Sequence, residues 1–152
     1  MTDSWRDDVS EQAQVDLDEL TNLALGFGAN QLQAHGELLP FALVRRTDGE
    51  LEPILVEGLD DDADPADLVD AHVAEAVRRR EEIRAAIFLA DITAEQLGGD
   101  AIRALLEHRE GVNIALYLPY QHDEEGTYTF GELVGSPGLA QVWASDAGGD
   151  GN

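Results

Sequence analysis

The side chains of this chain that are best suited to acid–base chemistry are its histidines and the carboxylates beside them. The most compact group is Glu107, His108 and Arg109, which stand shortly before Gly111 and an alternating apolar run. A second histidine, His122, is followed by three acidic residues. An imidazole and a carboxylate at hydrogen-bond distance can act as general base and acid. His108, His122 and Glu107 are therefore the candidate catalytic residues, for a small hydrolase or a metal-assisted enzyme.

The expected local structure separates these three groups. If residues 101–108 form a strand, neighbouring side chains point to opposite faces of the sheet, so Glu107 and His108 face apart. His108 would pair across a tight turn with residue 112, and His122 would lie about ten residues, or about 33 Å, further along that strand. The pattern favours a polar hairpin end over an active site and so weighs against an enzyme.

Three aspartates, Asp60, Asp62 and Asp64, occupy positions 1, 3 and 5 of a calcium-binding EF-hand loop and are the candidate metal ligands. The other positions do not match, because Pro65 stands where the loop needs its turn glycine and Ala71 where it needs a bidentate glutamate. The same stretch is typical of a helix start, with Asp64 as N-cap and Pro65 in the first turn. The four histidines also lack a metal-binding spacing. We expect no metal and no cofactor.

The sequence contains no motif for nucleophilic catalysis or phosphate binding. It has no cysteine, and Ser136 lies in "GSPG", which is typical of a turn and not of a nucleophile elbow. It also has no lysine, which excludes a Walker A loop. Tyr117, Tyr120 and Arg109 are candidates for lining a ligand groove, although aromatic residues more often pack in the core or across strands.

The charge of the chain gives the clearest indication about partners. It carries 32 acidic residues against 9 basic ones, all arginine, for a formal net charge of -23. Such an excess repels phosphate backbones and anionic lipid headgroups, so neither nucleic acid nor a membrane is an expected partner. A basic protein is the expected partner. The leading interpretation is a non-catalytic protein-interaction or regulatory module that docks this basic partner.

Two amphipathic helices are expected. The first lies within residues 5–30, begins with acidic residues that complement the helix dipole, and ends at Gly26 and Gly28. Its apolar positions are Val9, Leu17, Leu20, Leu23, Ala24 and Phe27. The second begins at Pro65, buries an apolar stripe, and ends near Arg78, where cations oppose the negative end of the dipole.

Most of the remaining chain is predicted to form strands. Residues 37–57 read as a hairpin around Asp48 and Gly49, a pair that tolerates the two positive φ angles of a two-residue type I′ turn. Residues 83–93 are almost continuously apolar, as expected of a central strand covered on both faces.

The segment 101–108 matches both a helix and a strand. Its residues are good helix formers, but the segment 112–118 alternates without error, and a short glycine loop joins two strands at low entropic cost. The pattern therefore favours a strand. The later segments "TYTFGELVG" and "LAQVWA" add one or two further short strands.

These elements predict an α+β domain with a mostly antiparallel sheet of five to seven strands and two main helices packed on one face. A single domain is expected over residues 1–144, with a disordered tail over 145–152 that has no apolar anchor. The acidic start lacks the features of a signal peptide, so a cytoplasmic protein is expected. The protein is expected to be a monomer or a homodimer. A homodimer formed through an exposed strand edge such as 128–134, with a structural role, is a third alternative for its function.

Residues 35–120, from "HGELLPFALVRRTDGE" through "DAIRALLEHREGVNIALYLPY", resemble a set of small bacterial α+β domain proteins with no known activity. The shared features are an apolar-Pro-Phe strand start with its Asp-Gly turn, "DAI" leading into a strand, and "LPY" closing the next strand. The resemblance implies a strand at 101–108. It implies no activity and no functional residue.

Overall fold

In a computed structural model of the chain, residues 10–54, 64–94, 99–138 and 140–143 are described. The chain forms, in order, α1 Glu11–His35, β1 Phe41–Arg46, β2 Leu51–Pro53, α2 Pro65–Arg78, β3 Ile83–Ala94, β4 Gly99–His108, β5 Val112–His122, β6 Tyr128–Phe130 and β7 Val134–Pro137. Seven strands make one sheet in the order β2-β1-β3-β4-β5-β6, and β7 pairs with β5 beside β6. Every pairing is antiparallel, so the predicted α+β class and antiparallel sheet are confirmed.

The two helices pack on opposite faces of the sheet, so the predicted placement of both helices on one face is wrong. On β1, Leu43 packs in the cluster that contains Leu17 of α1, while its neighbour Val44 packs in the cluster that contains Ala76 of α2. The reason lies in β3, where residues 85–90 are all buried. A strand that is apolar on both faces needs a cover on each.

Helix α1 is longer than the glycines in its sequence suggested. Ser10 caps it by accepting from the Ala13 amide, and it ends at Gly36, which has a φ of 74°. The predicted end at Gly26 and Gly28 is therefore wrong. Gly28 is buried where the helix crosses the sheet, and a β-carbon there would lie 3.0 Å from a methyl group of Leu89. It permits close packing and does not end the helix.

The predicted hairpin around Asp48 and Gly49 is present as β1 and β2, but its turn type differs. Only Gly49 has a positive φ, of 94°, and the loop has three residues because the Arg46 amide bonds to the Glu50 carbonyl. The Asp48 carboxylate accepts from the Glu50 amide at 3.0 Å. A residue with a negative φ followed by one left-handed glycine is compatible with a three-residue loop and not with a type I′ turn, which needs two positive φ angles.

The remaining secondary-structure predictions agree with the structure, with one exception. The segment 101–108 is strand β4, 83–93 lies within β3, and α2 begins at Pro65 with Asp64 in the N-cap position. The short strands expected from "TYTFGELVG" are β6 and β7. Residues 140–143 of "LAQVWA" are irregular and not a strand. Asp60, Asp62 and the tail 145–152 lie outside the described residues.

Candidate functional site

The most concentrated ionic group is buried between α1 and the sheet. Asp16 of α1 is fully buried. Its carboxylate accepts two hydrogen bonds from Arg84, one from Nε at 2.9 Å and one from Nη2 at 3.1 Å. His108 Nε2 lies 3.0 Å from the same carboxylate, and Arg45 Nε lies 3.4 Å from it. We call these four residues the Asp16 cluster. Such a group combines a charged pair with the hydrogen bonds that compensate for its burial.

The position of Asp16 follows from the helix periodicity. It shares the buried face of α1 with Ala13, Leu17 and Leu20, so the helix carries the acid into the interior. Burial acts to raise the pKa of Asp16, but hydrogen bonds from Arg84, His108 and Gln12 outweigh it and hold the pKa below its ordinary value. Asp16 is therefore a permanent anion at neutral pH.

The imidazole of His108 has no nitrogen left for a substrate. Its Nδ1 accepts a hydrogen bond from the Glu110 amide at 3.1 Å, so the ring proton is on Nε2 and is donated to Asp16. Only 2% of the side chain surface is exposed. His108 joins the β4–β5 turn to α1 and is in no position to act as a general base on a bound molecule.

Glu107 points to the other face of the sheet, as the alternation predicts. Its two carboxylate oxygens accept from the backbone amides of Gln141, Val142 and Trp143 at 2.9 to 3.0 Å. The residue is buried and holds the irregular segment 140–143 against the sheet. The structure thus gives Glu107 and His108 two separate anchoring roles on opposite faces.

His122 lies at the far end of β5 and is exposed, with its ring centroid 5.2 Å from that of Tyr128. It does not meet His108, because His108 pairs with Val112 at the other end of the strand. The three groove candidates are separated as well. Tyr120 faces α1, Tyr117 faces the opposite side, and Arg109 is exposed in the β4–β5 turn. They do not line one groove.

Tyr120 belongs instead to a polar group at the end of the sheet where β3 meets β4. Its hydroxyl donates to Asp91 at 2.6 Å. Burial raises the pKa of Asp91 above its ordinary value, and Asp100 adds to this while the Tyr120 bond opposes it. A shallow recess of about 250 Å³ lies beside Tyr120 and is bordered by Asp100, Gln121 and Phe130.

The described arginines are concentrated at the opposite end of the sheet, formed by the β1–β2 turn, the turn 79–82 and the β4–β5 turn. We call this the arginine end. It holds every described arginine except Arg103, which lies within β4: Arg45, Arg46, Arg78, Arg79, Arg80, Arg84 and Arg109. Most of them are paired with acids, among them Arg46 with Glu52 and Arg79 with Glu52. The positive charges at this end are therefore largely compensated within the protein.

The end of the sheet that carries Tyr120 has carboxylates without arginines among the described residues. We call it the acidic end. It comprises Glu37 after α1, Asp91 and Asp100 on β3 and β4, and Asp123, Glu124 and Glu125 in the β5–β6 loop. Asp123 is used within its loop, where it accepts from the Glu125 and Thr127 amides. Asp100, Glu124 and Glu125 are exposed.

Of the three metal candidates, Asp60 and Asp62 lie outside the described residues and Asp64 lies within them. Asp64 stands at the start of α2, without a capping bond from its side chain. Across the described residues, no group of three or more histidines and carboxylates is arranged to hold a metal ion.

Sequence reasoning missed Asp16, Arg45 and Arg84, which form the ionic core of the molecule. The signal was present for Asp16, because an acid that shares the buried face of an amphipathic helix needs a buried partner. The partner itself was not predictable, since His108 lies 92 residues away along the chain.

No family model matches this chain, and neither the curated proteins nor the solved structures yield a relative for it. The described helices include none that is both long and apolar enough to span a membrane.

Proposed function

We propose that this protein is a non-catalytic protein-interaction module that binds a basic partner at its acidic end. The observation that carries the proposal is the separation of charge along the sheet. Arginines are concentrated and paired at one end, while exposed carboxylates at the other end have no described arginine beside them. A basic segment therefore finds its strongest attraction at the acidic end.

The buried ionisable groups support a binding role over a catalytic one. His108 has both nitrogens bonded inside the protein, and Glu107 has both oxygens bonded to backbone amides. A general acid or base needs a free atom within reach of a substrate. The exposed acids, in contrast, are free to form surface ion pairs that steer a basic partner and make binding depend on salt.

The test compares two variants that have the same net charge. The first removes three acids from the acidic end, Asp100→Asn, Glu124→Gln and Glu125→Gln. The second removes three exposed acids from the arginine end, Glu11→Gln, Glu50→Gln and Glu81→Gln. Each changes the net charge from -23 to -20 by removing three negative charges. Binding of a fluorescein-labelled arginine–serine peptide is measured by anisotropy at 20 mM and 300 mM NaCl.

We expect the acidic-end variant to bind about tenfold more weakly than the wild type at low salt, since exposed ion pairs contribute about 0.2–1 kcal/mol each. The arginine-end variant should lose much less affinity. Its substituted residues lie far from the bound peptide, so they affect it only through long-range electrostatics that salt screens. Equal losses in both variants would show that the peptide senses total charge alone. Wild-type protein that does not bind the peptide at low salt would refute the proposal.

A further inference from the structure

A pocket lies where α1 ends and β1 begins, and most of the residues that line it are apolar. Its volume is about 340 Å³, and its walls include Phe27, Leu39 and Phe41. The rings of Phe27 and Phe41 stack with centroids 4.4 Å apart. Leu39 is 63% exposed and Phe27 is 39% exposed. The pocket is therefore open and offers both aromatic and aliphatic surface to solvent.

Phe41 packs against the core on the α1 side, but Phe27 and Leu39 are not part of that core. The buried face of α1 passes through Leu20, Ala24 and Gly28, and Phe27 lies outside it. Leu23, one turn before Phe27, is 50% exposed as well. Exposed apolar side chains that lie together, unlike single ones scattered over a surface, mark interaction or ligand-binding sites on soluble proteins.

We propose that this pocket binds an apolar side chain of the same basic partner segment that the acidic end attracts. The inference rests on the proposed function and names a second contact for it. Charge decides between the two occupants that an apolar pocket could take. A second copy of this chain would bring another net charge of -23, whereas a basic segment relieves the existing repulsion.

The pocket is close enough to the acidic end to be part of one binding surface. Glu37 lies in its wall, and Gly36 directly precedes that residue. A β-carbon at Gly36 would lie 4.0 Å from the Tyr128 hydroxyl, so the end of α1 adjoins β6. Strand β6 pairs with the end of β5, next to the carboxylates of the β5–β6 loop. A short extended segment can therefore reach both contacts.

The test uses two fluorescein-labelled peptides of equal charge, one of arginine and serine and one in which two central serines are replaced by leucine. Each is titrated against the wild type and against Leu39→Ser. Leu133→Ser is the matched control, because Leu133 is also an exposed loop leucine, at 45%, but does not line the pocket. Circular dichroism melting verifies that each variant is folded.

We expect the wild type to bind the leucine peptide about tenfold more tightly than the serine peptide, because one leucine side chain would be partly buried in the pocket. Leu39→Ser should remove most of this preference, and Leu133→Ser should retain it. Equal binding of the two peptides by the wild type overturns the pocket assignment while the proposed function stands. A preference that persists in Leu39→Ser also overturns it.

Two further outcomes bear on the occupant. If neither peptide binds, the proposed function fails and this inference fails with it. Light scattering at 500 mM NaCl examines self-association, where the charges are screened. A dimer that is lost in Leu39→Ser, together with no leucine preference, would assign the pocket to a second copy and overturn the proposal.

Discussion

Glu107 and His108 are neighbours in the chain, yet each fastens a different element to the sheet. His108 bonds to Asp16 on the α1 side, and Glu107 binds the amides of segment 140–143 on the other. Polar residues at these positions are buried because each has its partners within the protein. The two residues are adjacent in sequence, which suggested an acid–base pair, but adjacent side chains of a strand point to opposite faces of the sheet.

The Asp16 cluster should be the most sensitive ionic site for stability. Asp16→Asn removes the charge that compensates Arg84 and Arg45, and breaking one side of a buried ion pair costs about 3–5 kcal/mol. We expect a loss of about 3 kcal/mol in the free energy of unfolding at pH 7. Urea is the denaturant to use, because guanidinium would screen the charges.

The same substitution carries a pH signature. The folded-state pKa of Asp16 is depressed, so its contribution is present above the unfolded pKa and is lost as pH falls through the folded pKa. The difference between wild type and Asp16→Asn should therefore shrink on acidification below about pH 4. Glu81→Gln, an exposed control, should change stability by less than about 0.5 kcal/mol. A constant difference across pH would contradict the assignment.

The hydrogen bonds of Glu107 give a second prediction for a single residue. Glu107→Gln places an amide donor against backbone amides that need an acceptor, which should cost about 2 kcal/mol and release segment 140–143. In a Trp5→Phe background, Trp143 fluorescence should shift to the red, and limited proteolysis should cut near this segment. Glu132→Gln, at an exposed position, should leave both measurements unchanged.

At the scale of the elements, the three-residue hairpin loop recurs through the fold. Gly49, Gly111 and Gly126 each have a positive φ, and each donates its amide to the carbonyl three residues before. An acid precedes each glycine. The hairpins at Gly49 and Gly111 were predicted because glycine and alternation mark them, whereas the turn type depends on the register of the flanking strands.

The two glycines of α1 give a matched pair of predictions. Gly26 has open space around it, so Gly26→Ala should stabilise the protein by about 0.5–1 kcal/mol through helix propensity. Gly28→Ala should lose this gain and destabilise by about 1 kcal/mol, because its β-carbon would crowd Leu89 and Leu38. Urea unfolding measures both. Equal stabilisation by the two substitutions would mean that α1 lies further from the sheet than it does in this structure.

Strand positions were more predictable than the packing of the helices. Alternation along β5 and the continuous apolar run of β3 follow directly from side-chain geometry. The end of α1 was not visible, because a glycine that permits close packing looks the same in sequence as one that stops a helix. The continuous apolar run of β3 implied that both faces of the sheet are covered. In the structure α1 covers one face and α2 covers the other.

For the molecule as a whole, the net charge of -23 should make stability depend on salt. Self-repulsion extends over about 30 Å at 0.01 M salt but only about 8 Å at 0.15 M. We expect the melting temperature to rise by about 5 °C between 10 mM and 500 mM NaCl, or about 1–2 kcal/mol for a domain of this size. KCl should give the same rise. A flat dependence would indicate that the carboxylates are paired throughout.

The direction of the charge separation is a property that composition could not reveal. Total charge favoured a basic partner, but the segregation of arginines at one end depends on which strand termini meet in the antiparallel sheet. The same holds for the apolar pocket, since Phe27 and Leu39 were read as ordinary helix and strand residues. The binding surface emerges only when the topology places these segments together.

The most direct test of the account is to locate the bound peptide by NMR. A ¹⁵N-labelled protein is titrated with the arginine–serine peptide at 20 mM NaCl, and amide shifts are followed residue by residue. We predict that the largest changes occur at residues 36–41, 99–101 and 120–131, at the acidic end. Changes concentrated in the turns 47–50, 79–82 and 109–111, or spread evenly over the sheet, would contradict it.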